Sequence, residues 1–128
     1  MSHFTRMRTT LTDGDVLERS LRDLGHQVER GQVSVRGYMG RRTPVELRLP
    51  TKSGGYDIGF RRNGGSAYEM VADWWGIKDT TAERFLATVA RQYALVGART
   101  VLERQGFELV EETRERSGEV RLLLRRLT

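Results

Sequence analysis

Hydrophobic and polar residues alternate along most of the chain in the manner of strands, and two stretches show helical spacing instead. The segment from Phe4 to Leu11 alternates and is rich in threonine, which predicts a first strand. Thr12 precedes Asp15 by three residues, an arrangement typical of a capping box. The apolar residues that follow at helical spacing are Val16, Leu17, Leu21 and Leu24. We therefore predict a helix of about three turns that ends at Gly25.

The next segment contains glycines that indicate turns. The stretch from His26 to Arg36 has two short extended pieces on either side of Gly31, which predicts a tight hairpin. The stretch from Gly37 to Pro44 combines two glycines, two adjacent arginines and a proline. This composition predicts a loop.

Three strands are predicted in the middle of the chain. Val45, Leu47 and Leu49 alternate with polar residues, which indicates a half-buried strand. The following run alternates in the same way at Tyr56, Ile58 and Phe60. The dipeptide Asn63-Gly64 then predicts a hairpin turn into a further strand over residues 66–72, because both turn residues tolerate positive φ.

The C-terminal part predicts one long helix and a final pair of strands. Thr80 and Glu83 form a second capping-box pattern, and the helix extends to about Gln105, where Gly106 ends it. Alternating residues at 107–112 and 120–124 flank a polar turn.

The order of these elements predicts an α+β fold, a mainly antiparallel sheet with two helices on one face. Residues 20–35 and 101–124 both combine the end of a helix, a glycine and two strands. This similarity indicates a pseudo-repeat of two strand-helix-strand-strand halves in one sheet, or chance.

Composition narrows the class of protein. With 128 residues, 38% of them hydrophobic and 30% charged, the chain predicts a single folded domain over residues 1–128. The absence of cysteine excludes disulfides, cysteine-ligated metals and thiol nucleophiles. No run of about 18 apolar residues occurs, so we expect a cytoplasmic protein without membrane association.

The net charge of +5 lies entirely in one segment. Between Arg36 and Arg62 the chain has seven basic and two acidic residues, whereas the remainder carries 15 of each sign. Arginine supplies 20 of the 22 basic residues, which is typical of a GC-rich coding sequence. The excess of arginine is therefore weak evidence for phosphate binding, although its planar fork suits phosphate.

No pattern of catalytic or ligand-binding residues emerges. The glycine pairs at 54–55 and 64–65 lack the Lys-Ser/Thr that completes a phosphate-binding loop. His3 and His26 lack carboxylates at metal-ligand spacing. We predict no catalytic residue, no cofactor and no metal site, which favours a protein that is not an enzyme. A small enzyme acting on an anionic substrate is a less favoured hypothesis. A deep pocket lined by Asp57, Tyr68 and Asp73 would support it.

The adjacent tryptophans Trp74 and Trp75 are a first candidate surface. In an extended segment their rings point to opposite sides of the chain, so only one fits easily into a core. Either the second ring covers the end of the sheet, or it is an exposed anchor for a partner, since tryptophan and arginine dominate binding hot spots.

The basic segment is a second candidate surface. Arginines pair with phosphate groups and aromatic rings stack on bases, so the combination of the two in this segment is typical of a nucleic-acid-binding surface. The alternative is a solvated rim of arginines with Tyr56 and Phe60 in the core, and the alternation favours this alternative. The candidate binding residues of both surfaces are Arg36, Tyr38, Arg41, Arg42, Arg61, Arg62, Trp74 and Trp75.

Several motifs together resemble the conserved hypothetical reading-frame family of cyanobacteria and chloroplasts, a domain of unknown function that is also present in other bacteria. They are Ser2-His3-Phe4-Thr5, Arg36-Gly37-Tyr38, Tyr56-Asp57-Ile58-Gly59-Phe60, Ala72-Asp73-Trp74-Trp75-Gly76, Gln92-Tyr93-Ala94 and Gln105-Gly106-Phe107. The resemblance covers nearly the whole chain. It implies no catalytic residue or cofactor, and it implies a genomic neighbourhood with AAA-type ATPases and another small protein. The pairs Arg41-Arg42 and Arg61-Arg62 are not part of the family pattern.

Two main functional hypotheses follow. The first is a non-enzymatic binding or adaptor module for a protein partner, such as an AAA-type ATPase or another small protein, with the tryptophans and the basic segment as contact surfaces. The second is a nucleic-acid-binding domain that uses the segment from Arg36 to Arg62 and binds less tightly as salt rises. The sequence does not define an oligomeric state.

Overall fold

A computed structural model describes residues 3–127, so Ser2 of the first family-like motif lies outside the described chain. The elements in chain order are β1 (Thr5–Arg8), α1 (Gly14–Asp23), β2 (Glu29–Arg36), β3 (Arg42–Pro50), β4 (Asp57–Arg62), β5 (Tyr68–Ala72), α2 (Ala82–Arg104), β6 (Phe107–Arg114) and β7 (Val120–Arg126). Two short 3₁₀ turns, Tyr38–Gly40 and Trp74–Gly76, follow β2 and β5. The predicted α+β class is confirmed.

The chain forms two compact units that divide after Tyr93, within helix α2. The first contains a five-stranded antiparallel sheet in the order β1-β5-β4-β3-β2, and the second contains the antiparallel pair β6-β7. The single domain predicted from composition stays a prediction. No helix in residues 3–127 is long and apolar enough to cross a membrane.

Both helices contribute to one core on one face of the five-stranded sheet, as predicted. Leu17 and Leu21 of α1 and Phe85 and Val89 of α2 are buried in this cluster. The sheet residues they share it with include Leu47, Leu49, Ile58, Phe60 and Met70. The alternation of β4 is therefore confirmed at Ile58 and Phe60.

A second, smaller cluster contains Val35, Val45 and Val71. Gly59 lies against it, because a side-chain carbon at Gly59 would collide with Val35 and Val45. Val45 therefore packs apart from Leu47 and Leu49, although the sequence places all three on one alternating face. The pairing of β2 with β3 shifts register between Arg30 and Val33, and such a bulge re-aims the side chains beside it.

The predicted hairpin at Gly31 is wrong. Residues 29–36 form one strand, and Gly31 lies in its bulge with a φ of 131°. The predicted loop from Gly37 to Pro44 is shorter than expected, since β3 already begins at Arg42. Pro44 is tolerated there because β4 pairs with β3 only from Leu47 onward, which leaves that side of the strand unpaired.

Each helix is capped one residue later than predicted. The Asp13 carboxylate, not Thr12, accepts hydrogen bonds from the amides of Asp15 and Val16, at 3.0 and 3.1 Å. Thr81, not Thr80, accepts from the amide of Arg84 at 3.2 Å. A carboxylate is at least as good a cap as a hydroxyl, so the neighbouring residue takes the role at α1.

The pseudo-repeat is not confirmed. In the first half the strands before and after α1 join the five-stranded sheet at its opposite edges. In the second half β6 and β7 pair with each other in a separate sheet.

Candidate functional site

Two 3₁₀ turns from distant parts of the chain meet at one corner of the first unit. The turn Tyr38–Gly40 leaves the end of β2, and Trp74–Gly76 leaves the end of β5. The backbone amide of Tyr38 donates a hydrogen bond of 3.0 Å to Oδ2 of Asp73, the residue before the second turn. This bond fixes the two turns relative to each other.

The structure separates the two tryptophans. Trp74 is half-buried against the main core, with its ring 6.4 Å from that of Phe85. Trp75 is 56% exposed, and its ring meets Tyr38 edge to face at 5.4 Å between centroids. Only Trp75 is therefore available to a partner.

Met39 completes an apolar surface beside Trp75. Its exposed fraction is 82%, and it has a φ of 53°, a left-handed conformation that a methionine adopts only when its neighbours impose it. We call Tyr38, Met39 and Trp75 the corner surface. The sequence missed Met39, and its position between Gly37 and Gly40 was the available signal.

Several residues pack closely beneath the corner surface. A side chain at Gly37 would collide with Phe4 and Asp73, and one at Gly76 would collide with the ring of Tyr56. Asp73 is almost fully buried, and its Oδ1 has no hydrogen-bond partner among the described residues. Burial raises the pKa of Tyr56, and the negative charge of Asp73 adds to this effect.

One cation lies against the corner surface. The ammonium of Lys78 is 5.3 Å from the centre of the Trp75 ring and donates a hydrogen bond of 2.8 Å to the Trp75 carbonyl. Sequence reasoning missed Lys78. The contact combines a cation–π interaction with a hydrogen bond and helps to hold the indole in place.

Arg36 is committed to an internal ion pair. Its Nε and Nη2 donate to the two oxygens of the fully buried Asp57 at 2.9 and 3.0 Å, and its backbone amide adds a bond of 2.8 Å. Arg48 approaches the same carboxylate at 3.3 Å. Burial alone would raise the pKa of Asp57, but these hydrogen bonds and charges outweigh it and hold the pKa below its ordinary value.

Arg61 and Arg62 also have internal partners. Arg61 pairs with Glu69 at 2.9 Å and donates to the carbonyl of Pro44. Arg62 donates to the carbonyls of Thr12 and Ser66, and its guanidinium lies 4.3 Å from the centre of the Tyr68 ring. Neither side chain is a free surface cation.

Arg41 and Arg42 are exposed and have no partner among the described residues, unlike Arg62, which is exposed but paired. Within residues 3–127 neither guanidinium has a hydrogen bond or an ion pair. Arg41 directly follows the turn that carries Tyr38 and Met39, and Arg42 lies opposite Arg36 in the pairing of β2 with β3. Among the arginines of the segment, the positive charge available to a partner therefore lies at these two residues, and Lys52 is the segment's exposed lysine.

The structure does not bring the residues of the enzyme alternative together around the cavity that lies between the end of α1, the end of β3 and the start of α2. That cavity has a volume of about 540 Å³, and Asp57, Tyr68 and Asp73 do not line it. Asp57 is paired with arginine, and Arg62 covers Tyr68.

Three of the six family-like motifs contact one another at the corner described above. Arg36 pairs with Asp57, Tyr38 bonds to Asp73, and Gly76 lies against Tyr56. A family model described as "Protein of unknown function (DUF1257)" matches residues 20–123. The chain belongs to this family.

Relatives match this chain over nearly its whole length. "Uncharacterized protein ycf35" of Guillardia theta is 34% identical over 128 residues, and the match covers 98% of each chain. The proteins with the same name from Cyanophora paradoxa and Pyropia yezoensis are each 28% identical, again over 98% of each chain. The resemblance to a conserved hypothetical reading-frame family is thus confirmed. No solved structure matches the chain significantly.

Proposed function

We propose that the protein is a non-enzymatic binding or adaptor module that contacts a protein partner through the corner surface. The observation that carries this proposal is Trp75, a large ring more than half exposed and held in place by Tyr38 and Lys78. A rigid exposed tryptophan loses little side-chain entropy on binding, and tryptophan is strongly enriched among binding hot spots. Met39 beside it extends the apolar contact area.

The charges around the corner surface support a partner of complementary chemistry. Lys78 and Arg41 flank the apolar residues and carry positive charge. An interface with an apolar centre and a charged rim fits a segment that has an aliphatic or aromatic anchor between acidic residues. An AAA-type ATPase is the partner class that the family resemblance implies, and another small protein is the alternative within the same proposal.

The proposal is tested by capture from native extract with matched variants. Trp75→Ser removes the anchor, whereas Val101→Ser removes an apolar side chain that is 51% exposed on α2. We expect wild type and Val101→Ser to retain one protein that mass spectrometry identifies as an AAA-type ATPase or its small companion, and Trp75→Ser to lose it. The purified pair should then bind directly, with an affinity at least about tenfold weaker for Trp75→Ser. Equal capture by all three chains, or a change in thermal stability alone, would contradict the proposal.

A second candidate function, nucleic-acid binding, is supported by Arg41 and Arg42, the exposed arginines of the basic segment that have no partner in the described chain. If Arg41 and Arg42 are the phosphate contacts, the logarithm of the affinity for duplex DNA should fall with the logarithm of salt concentration with a slope of about −1.8. If all five arginines among the candidate binding residues were free to contact phosphate, the slope would be about −4.5. Titration of a duplex and a single-stranded oligonucleotide at several salt concentrations measures the slope. Absent or salt-insensitive binding would exclude this function.

A further inference from the structure

A cavity of about 540 Å³ opens on the side of the first unit formed by the end of α1, the end of β3 and the first turns of α2. Its deeper wall is apolar and is formed by the buried residues Leu49, Ile58, Phe85 and Val89. The imidazole of His26 lies beside this wall, with its ring 5.5 Å from that of Phe85. A volume of this size is typical of sites that enclose small organic molecules.

The charged residues that line the cavity differ in whether they already have a partner. Lys52 and Arg84 are exposed, and their side-chain nitrogens have no hydrogen bond or ion pair within residues 3–127. Asp79 is the acidic residue of the lining, and its carboxylate accepts from the Lys52 amide at 3.4 Å and the Ser53 hydroxyl at 3.3 Å. The carboxylate is therefore engaged with the loop after β3, whereas both cations are free to pair with a ligand.

We propose that this cavity binds a small organic anion, with an apolar or aromatic body against Phe85 and Val89 and an acid group paired with Arg84 and Lys52. The apolar wall favours a hydrophobic body because covering it removes apolar surface from water. Arginine and lysine favour a carboxylate, sulfonate or phosphate because charge-assisted hydrogen bonds are stronger than neutral ones. The site is separate from the corner surface and shares no residue with it.

Two fluorescent probes that share an aromatic body separate the two parts of this proposal. The first is 1-anilinonaphthalene-8-sulfonate, and the second is N-phenyl-1-naphthylamine, which lacks the sulfonate. We expect the sulfonate to bind the full chain saturably with one molecule per chain, and more tightly than the neutral probe. Equal affinity for the two probes, or a titration that does not saturate, would overturn the proposal.

Matched variants on one helix locate the bound probe. Arg84 lines the cavity and Arg91, two turns further along α2, does not, and both are exposed. Arg84→Gln should weaken binding of the sulfonate about tenfold and leave the neutral probe unchanged, whereas Arg91→Gln should change neither. The same affinity in Arg84→Gln and Arg91→Gln would overturn the proposal.

A third variant tests the location by filling the space. Thr88 is a half-buried residue of the lining, and Thr88→Trp should weaken binding of both probes. Trp75→Ser should leave both affinities unchanged, so loss of binding in Trp75→Ser would assign the probe to the corner surface and overturn the proposal. If Thr88→Trp lowers the folded fraction in circular dichroism, the comparison of Arg84→Gln with Arg91→Gln still shows whether the probe binds in this cavity.

Discussion

Asp57 is a fully buried carboxylate whose charge is compensated by two arginines. It receives bonds from a neighbour two strands away in the sheet, because Arg36 in β2 reaches across β3 to β4. Removing one partner of a buried ion pair leaves an uncompensated charge, which costs more free energy than the pair itself contributes.

We predict that Arg36→Gln lowers the free energy of unfolding by about 2–3 kcal/mol, since Arg48 compensates the Asp57 charge only in part. Urea titration followed by circular dichroism measures the change. Arg41→Gln is the control, because its guanidinium has no partner in the described chain, and it should alter stability by less than about 0.5 kcal/mol. Equal effects of the two substitutions would show that the Arg36–Asp57 pair does not stabilise the fold.

His26 gives the fold a pH dependence with a defined sign. Burial lowers the pKa of His26 below 6.5, and the charge of Asp79 opposes this effect only partly. Between the lowered pKa and 6.5 the unfolded chain binds a proton that the folded chain does not, so this contribution to stability is complete above 6.5 and is lost as pH falls.

We therefore expect the midpoint of urea unfolding to decrease between pH 7.5 and pH 5, and to decrease less in His26→Gln. The carboxyl of Asp57 titrates in a lower range, because its pKa lies below 3.8. A wild-type chain whose pH dependence equals that of His26→Gln would contradict the assignment to His26.

Within individual elements, we expect substitution of glycine by alanine to have opposite effects on the free energy of unfolding at two positions. Gly97 lies inside α2 with open space around its Cα, so Gly97→Ala should raise the free energy of unfolding by about 0.5–1 kcal/mol. Gly76 lies against the ring of Tyr56, so Gly76→Ala should lower it by about 2 kcal/mol. Chemical denaturation of both variants measures these changes, and a stabilised Gly76→Ala would show that the corner beneath Trp75 is loosely packed.

For some secondary-structure elements, the hydrophobic pattern of the sequence was sufficient to predict which residues form the core. The alternation of β4 and the spacing in α1 and α2 predicted residues of the main core, because side chains at these spacings lie on one face of each element. Burial itself does not alternate in β4, where all four residues from Asp57 to Phe60 are buried. The bulge at Gly31 was missed, since a local pattern does not contain the register against β3. The separate sheet of β6 and β7 was missed for a related reason: alternation defines a strand and not its partner.

The candidate site depended even more on long-range contacts. Adjacent tryptophans indicate that the rings diverge, and only the fold decides that Trp75 is the exposed one. The basic segment looked uniform in the sequence, but Arg61 has its acceptor Glu69 in the next strand, and Arg36 has its acceptor Asp57 two strands away. Charge counting along the chain locates such a segment and does not reveal which of its cations are neutralised.

At the scale of the whole molecule, helix α2 passes through both compact units without interruption. Helix formation is cooperative along the chain, so we expect the predicted single domain to unfold in one transition. Differential scanning calorimetry should give one peak with an enthalpy of about 90 kcal/mol at its midpoint for 128 residues. Two resolved transitions would show that the two units are separate domains.

Because some arginines are paired with carboxylates, only part of the positive charge behind the net value of +5 is available to a partner. Arg36 and Arg61 are neutralised by carboxylates, whereas Arg41 and Arg42 remain exposed, and Arg41 directly follows the turn that carries Tyr38 and Met39. This combination favours an interface with a protein over a continuous phosphate-binding groove.

Photocrosslinking from Met39 shows whether the corner surface binds a protein. A photoreactive amino acid is placed in living cells at Met39, which is 82% exposed, and, as a control, at Val110 in β6, which is 53% exposed. We predict an adduct with one defined protein from position 39 that is absent from position 110. Nucleic acid as the only adduct at position 39, or no adduct there at all, would contradict the claim that the corner surface binds a protein.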